Sequence, residues 1–137
     1  AVDGIIFLVD SADKKRFDKG YLAAHPGMTA ESTEWLVDQG VKIIGTDGWG
    51  FDCPFVVMKK EYEQSGHDPC TLWPAHFLGR KKEYCHIESL INLDQIPTPF
   101  GFKVSCLPVK LTRGSAGWVR AVALYTNPYY QKDGYED

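Results

Sequence analysis

The stretch "HPGMTAESTEWLVDQGVKIIGTDGWGFD", His25–Asp52, decides the fold. Pro26 and Gly27 interrupt the chain, and Thr29 then stands where a helix N-cap belongs. Glu31 falls in the first turn, where the helix dipole favours an acid, and Gly40 supplies the stop. Trp35 and Leu36 are expected on the buried stripe of this helix. "VKIIG" follows at once from Val41 as a short buried strand. Helix, glycine, strand and Gly-rich turn make a βαβ-like rhythm, so an α/β fold is expected. "TDGWGFDCP" then lies at the strand's carboxyl end, where open α/β sheets tend to hold ligands.

Upstream, "GIIFLVD", Gly4–Asp10, is continuous and β-branched, as in a strand buried on both faces. The run "SADKKRFDKG" after it is a polar loop. Downstream, Phe55–Gln64 predicts a helix ended by Ser65-Gly66, and 69–80 a loop with a short helix around His76. Tyr84–Leu90 is strand-like, and "DQIPTPFG" is a Pro-rich turn. "FKVSCLPVKL" and "WVRAVALY" are two β runs joined by "TRGSAG", and the tail "TNPYYQKDGYED" is polar and aromatic. No repeat or linker interrupts the chain, so residues 1–137 are read as a single domain.

The 137 residues are 44% apolar and 13% aromatic, enough for one ordinary core and too apolar for disorder. A net charge of −3 and a pI near 5.8 give no basic surface for nucleic acid or an anionic membrane. The longest apolar run is too short to span a bilayer. The chain opens inside a strand-like run without Met, which points to processing or to a start inside a longer protein. Cys53, Cys70, Cys85 and Cys106 form no CxxC pair, so reduced thiols in a cytoplasmic protein are expected.

The chemistry concentrates in "WPAHFLGRKKEYCHIESLINLD", Trp73–Asp94. His76 and Glu88 stand 12 residues apart, across a basic turn. An imidazole and a carboxylate are ligands that zinc or manganese accepts, and a metal site needs at least one more. A satisfied structural His and a paired surface Glu are the alternative. Glu88 lies between Ile87 and Leu90, where an ionised carboxylate needs a cation or strong donors. His86 is two residues from Glu88 on the same strand face, either a supporting partner or a buried-face residue. In "GTDGWGFD", Asp47 and Asp52 flank the glycines, either as turn caps or at a pocket walled by Trp49 and Phe51. His25 punctuates the helix entry, His67 belongs to a solvated loop, and Arg120 should need a partner in its apolar strand. No GxSxG, P-loop or GxGxxG motif is present.

In their order, these blocks resemble the C-terminal half of the cyclase-family metal-dependent hydrolases, whose members include bacterial kynurenine formamidase and isatin hydrolase. The resemblance runs from Tyr21 to Leu124 and is most specific at His76 and at the E-x-L-x-N-L segment that Glu88, Asn92 and Leu93 match. It implies a swivelling β/β/α-type domain and a Zn2+ or Mn2+ ion held in part by His76 and Glu88. It also implies a metal-activated water attacking the carbonyl of a small cyclic or aryl amide. Asp47, Trp49, Phe51 and Trp73 would meet this small-molecule substrate, in a homodimer or homotetramer. The family's H-x-G-T-H-x-D-x-P-x-H signature is absent here, so no catalytic residue is assigned within the chain. The acid/base His and the remaining ligands are expected upstream. The alternative is a catalytically inactive fragment or binding module that retains the fold. "VDGIIFLVDSADKKRFD" also resembles a small-GTPase strand and loop, which leaves the origin of residues 1–20 open. Neither GxxxxGK[ST] nor NKxD accompanies it, so no nucleotide site can be built.

Overall fold

The computed structural model describes residues 3–7, 18, 20–23 and 25–125. The GTPase-like loop after the first strand and the tail beyond residue 125 lie outside the described residues. The backbone divides into two compact units, Ala1–Leu93 and Asp94–Asp137.

The first unit carries the α/β architecture. Strands β1 (Gly4–Phe7), β2 (Ile43–Thr46) and β3 (Cys85–Ile87) form a parallel sheet in the order β1-β2-β3. Gly4 pairs with Ile43, and Ile43 in turn pairs with Cys85. The central strand β2 is the most enclosed, and Ile44 is fully buried. This is why the strand itself, from Ile43, is apolar at successive positions rather than at alternate ones, with exposed Lys42 outside it.

Helix α1 (Ala30–Asp38) lies in the crossover from β1 to β2. Thr29 caps it by accepting from the Ser32 N–H at 3.1 Å, and Gly40 ends it at φ 95°. Its buried positions are Thr33 and Leu36, with Val37 half-buried. Trp35 is 63% exposed, contrary to the sequence expectation. At 3.6 residues per turn it falls on the far side from Thr33, so the stripe follows helical phase rather than bulk.

Helices α2 (Phe55–Gln64) and α3 (Pro74–Leu78) fill the crossover from β2 to β3, and α3 packs against α1. Leu36, Val41, Ile44, Phe51 and Ala75 form the core, with Ile5, Met28 and Tyr84 against it. Each large side chain fully buried there stabilises the fold by about 1.5–3 kcal/mol. Among the described residues, no helix is long and apolar enough to cross a membrane.

The second unit holds an antiparallel pair, β4 (Lys103–Pro108) and β5 (Val119–Leu124), in register from Lys103–Leu124 to Pro108–Val119. Arg120 is exposed on β5 and so needs no buried counter-ion, which corrects the sequence expectation.

Candidate metal centre

The carboxyl ends of β2 and β3 bring the functional side chains together. After β2, the chain turns through Asp47–Asp52; after β3, Glu88 follows directly. The Ser89 and Leu90 N–H groups donate to the Gly48 and Thr46 carbonyls at 2.9 and 3.0 Å, fixing the two segments side by side.

Asp52 organises the third piece. Its side chain is only 2% exposed. One oxygen accepts from the Ala75 N–H at 2.7 Å, the other from the His76 N–H at 3.2 Å. These are the free donors of the first turn of α3, which Pro74 opens. The same Asp52 Oδ2 also bonds His76 Nδ1. A carboxylate only accepts, so Nδ1 carries the imidazole proton and Nε2 is left with its lone pair free. That arrangement, a carboxylate behind a histidine, is what orients histidines that ligate metals.

His76 Nε2 faces Glu88 Oε1 at 3.8 Å, and His86 Nε2 lies 3.6 Å from the same oxygen. The nitrogen and oxygen atoms of all three residues lie within 4.8 Å of one another. Glu88 accepts from the Phe51 N–H at 2.8 Å. This donor answers part of the compensation a carboxylate needs between apolar neighbours. The Phe51 ring is 1% exposed and stacks on His86, with centroids 4.5 Å apart and planes 17° apart.

Electrostatics separate the two imidazoles. The hydrogen bond that His76 donates to Asp52 raises the His76 pKa above the ordinary imidazole value, against the opposing effect of burial. Burial lowers that of His86, and the neighbouring His76 lowers it further. Tyr84, whose hydroxyl donates to the Ala75 carbonyl at 2.6 Å, is pushed up to about 12, chiefly by burial. In the metal-free protein, imidazole proton–nitrogen NMR is therefore expected to find His76 titrating above about pH 6.5 and His86 below it. The reverse order would contradict these assignments. Folded His76 holds its proton more tightly than the unfolded chain does. Its contribution to stability is thus full below about pH 6.5 and fades as pH rises through the folded value.

Beside these groups lies a pocket of about 730 Å³ whose lining includes Trp49, Phe51, Trp73, His76 and Glu88. Of the residues assigned from sequence, His76, Glu88, Trp49, Phe51 and Trp73 meet here. Asp47 is buried and is not among those lining residues, and the Tyr21 hydroxyl donates to its carbonyl at 3.3 Å. Trp73 is 41% exposed, stacks on Phe55 and adopts φ 49°. The role of Asp52 behind His76 was not read from sequence. Its available signal was Pro74, a helix start whose first N–H groups require an acceptor. His25 is buried rather than mere punctuation, and its Nε2 donates to the Asp52 carbonyl at 3.1 Å.

The cyclase family model matches residues 3–53, taking in β1, α1, β2 and the loop that ends at Asp52. The chain is 31% identical over 99 residues to an isatin hydrolase of Roseibium aggregatum, covering 72% of this chain and 34% of that protein. It is 33% identical over 95 residues to a kynurenine formamidase of Erythrobacter litoralis, covering 69% and 37%. Residues 3–53 therefore carry cyclase-family sequence. The chain spans about a third of the length of these curated relatives. The cyclase-family match begins at residue 3 and so includes the opening strand that also resembles a GTPase segment. No solved structure matches the chain significantly.

The donor set fits a first-row divalent cation. Two imidazole nitrogens and a carboxylate oxygen are ligands of zinc and manganese, and the His76 tautomer is the one that presents Nε2.

Proposed function

We propose that the chain forms part of a metal-dependent hydrolase of a small aryl or cyclic amide, with His76 and Glu88 as ligands of Zn2+ or Mn2+. The observation that carries this reading is His76 Nε2 facing Glu88 Oε1 at 3.8 Å while Nδ1 is held by buried Asp52. The names of the two relatives, an isatin hydrolase and a kynurenine formamidase, support the substrate class. When bound, such an ion supplies a water acidified toward neutral pH and a polarised carbonyl.

The chain's own residues prepare that chemistry. Asp52 keeps the proton on Nδ1 of His76, so Nε2 stays a lone-pair donor. The Phe51 N–H fixes the Glu88 carboxylate. Trp49 and Trp73, both partly exposed at the pocket, offer flat apolar surface to an aromatic amide, and the edge of buried Phe51 completes that wall. The acid/base group and further ligands would come from the part of the relatives that this chain does not span. A cytoplasmic homodimer or homotetramer belongs to the same proposal.

The test, made on a protein that also carries the part of the relatives this chain does not span, is metal content by mass spectrometry together with hydrolysis of an N-formyl aryl amine and of isatin. His76→Ala and Glu88→Gln are each expected to strip the metal and abolish turnover while leaving the circular dichroism spectrum unchanged. If both variants keep metal and turnover, the ligand assignment is wrong. Metal binding without hydrolysis of either substrate would favour the inactive binding module.

A further inference from the structure

Glu88 has a second imidazole beside it that the His76–Glu88 pair does not use. His86 Nε2 is 3.6 Å from Glu88 Oε1, and His76 Nε2 is 3.8 Å from it. Both separations exceed the 2.7–3.2 Å of a hydrogen bond to nitrogen, so neither imidazole is simply donating to the carboxylate. Two ligand atoms each about 2.0–2.1 Å from one tetrahedral cation stand roughly 3.4 Å apart. The observed spacing is close to that edge, and all three atoms lie within 4.8 Å of one another.

Local structure explains why the three converge. His86 and Glu88, two residues apart at the end of β3, project to the same side. Each of the three is also held from behind by a different group. Asp52 holds His76 through Nδ1, the Phe51 N–H holds Glu88, and the Phe51 ring lies flat on His86. Fixing ligands in this way lowers the ordering cost of taking up an ion.

We propose that His86 is a third protein ligand, so that His76, His86 and Glu88 of this chain hold one divalent first-row cation between them. The proposal rests on the reading of His76 and Glu88 as ligands and adds what that pair lacks. Three protein ligands let this chain take up an ion by itself, and a ligand from outside it would occupy a remaining position.

The decisive measurements are zinc affinity of the 137-residue chain, by competition with a chromophoric chelator, and the nitrogen hyperfine pattern of bound Cu2+ in electron paramagnetic resonance. His86→Phe keeps a flat ring against Phe51 and removes Nε2. It is expected to weaken zinc binding by more than about 100-fold, beyond the usual cost of losing an outer-shell partner. The Cu2+ spectrum should fall from two coupled nitrogens to one. Circular dichroism of the variant verifies that it folds, and His86→Gln provides a second substitution if it does not. Zinc affinity unchanged in His86→Phe, with two nitrogens still coupled to Cu2+, overturns the proposal and leaves the His76–Glu88 pair standing. No zinc binding by the unsubstituted chain also overturns the three-ligand site. If zinc binds but His76→Ala leaves its affinity unchanged, the underlying pair fails instead.

Discussion

Asp52→Asn is expected to cost about 3 kcal/mol of stability and to weaken metal binding by about 10–100-fold. Asp52 accepts three hydrogen bonds at once: from the Ala75 N–H, the His76 N–H and His76 Nδ1. An asparagine has one oxygen for these donors. With that oxygen on the Ala75 N–H, its amide group faces the His76 N–H, donor against donor. The side chain is almost wholly buried, so water cannot relieve the mismatch cheaply. The imidazole responds by moving its proton to Nε2, letting Nδ1 accept from the amide. Nε2 then has no lone pair to offer, although its position is unchanged. The same substitution should bring the His76 titration midpoint down, because its hydrogen bond to the carboxylate is what raises it. Denaturant melts measure the first effect, chelator competition the second, and NMR the third. Full metal affinity with an unshifted His76 midpoint would show that Asp52 does not set the tautomer.

Which parts of this arrangement could be read from the sequence follows from how local their causes are. The bounds of α1 and α2 are written in neighbouring residues: Thr29 and Gly40 for one, Pro54 and Ser65-Gly66 for the other. The apolar runs of β1 and β2 similarly announce strands, but only β2 is enclosed; β1 is an edge strand with Ile5 and Ile6 half-buried, which corrects the expectation of burial on both faces. The His76–Glu88 pair was recoverable because the resemblance supplied an order of motifs, while spacing alone left it open. Trp35 was misread because a bulky apolar residue draws attention that helical phase does not support. The link between Asp52 and His76 spans 24 residues and depends on how α3 enters the fold against the Asp47–Asp52 loop. No local pattern encodes that approach. His86 was seen beside Glu88, but its distance to His76 is set by the register of β2 with β3. Asp47 drew notice as a carboxylate in a glycine-rich turn, and the backbone carries it into the core instead.

Gly27→Ala is the second large effect, on the order of 4 kcal/mol, at the upper end of what single substitutions cost. Gly27 has φ 71°, a conformation that strains any residue with a Cβ. The crowding is more severe than the strain. An added Cβ would sit 2.2 Å from the Cys53 backbone nitrogen and 2.4 Å from the Asp52 carbonyl carbon. Both are main-chain atoms, so no side-chain rotation can make room. The segment 25–28 would have to lift away from 50–53. That movement would break the 2.7 Å bond from the Met28 N–H to the Phe51 carbonyl and the bridge between Met28 and Asp52. Phe51 and Asp52 are the residues that hold Glu88 and His76, so metal affinity should fall along with stability. Melting temperature and zinc affinity are the paired readouts. A variant that melts like the unsubstituted protein would show that the 25–28 segment is not seated on this loop. One that loses stability but keeps its zinc affinity would show that the loop holds its geometry without that support.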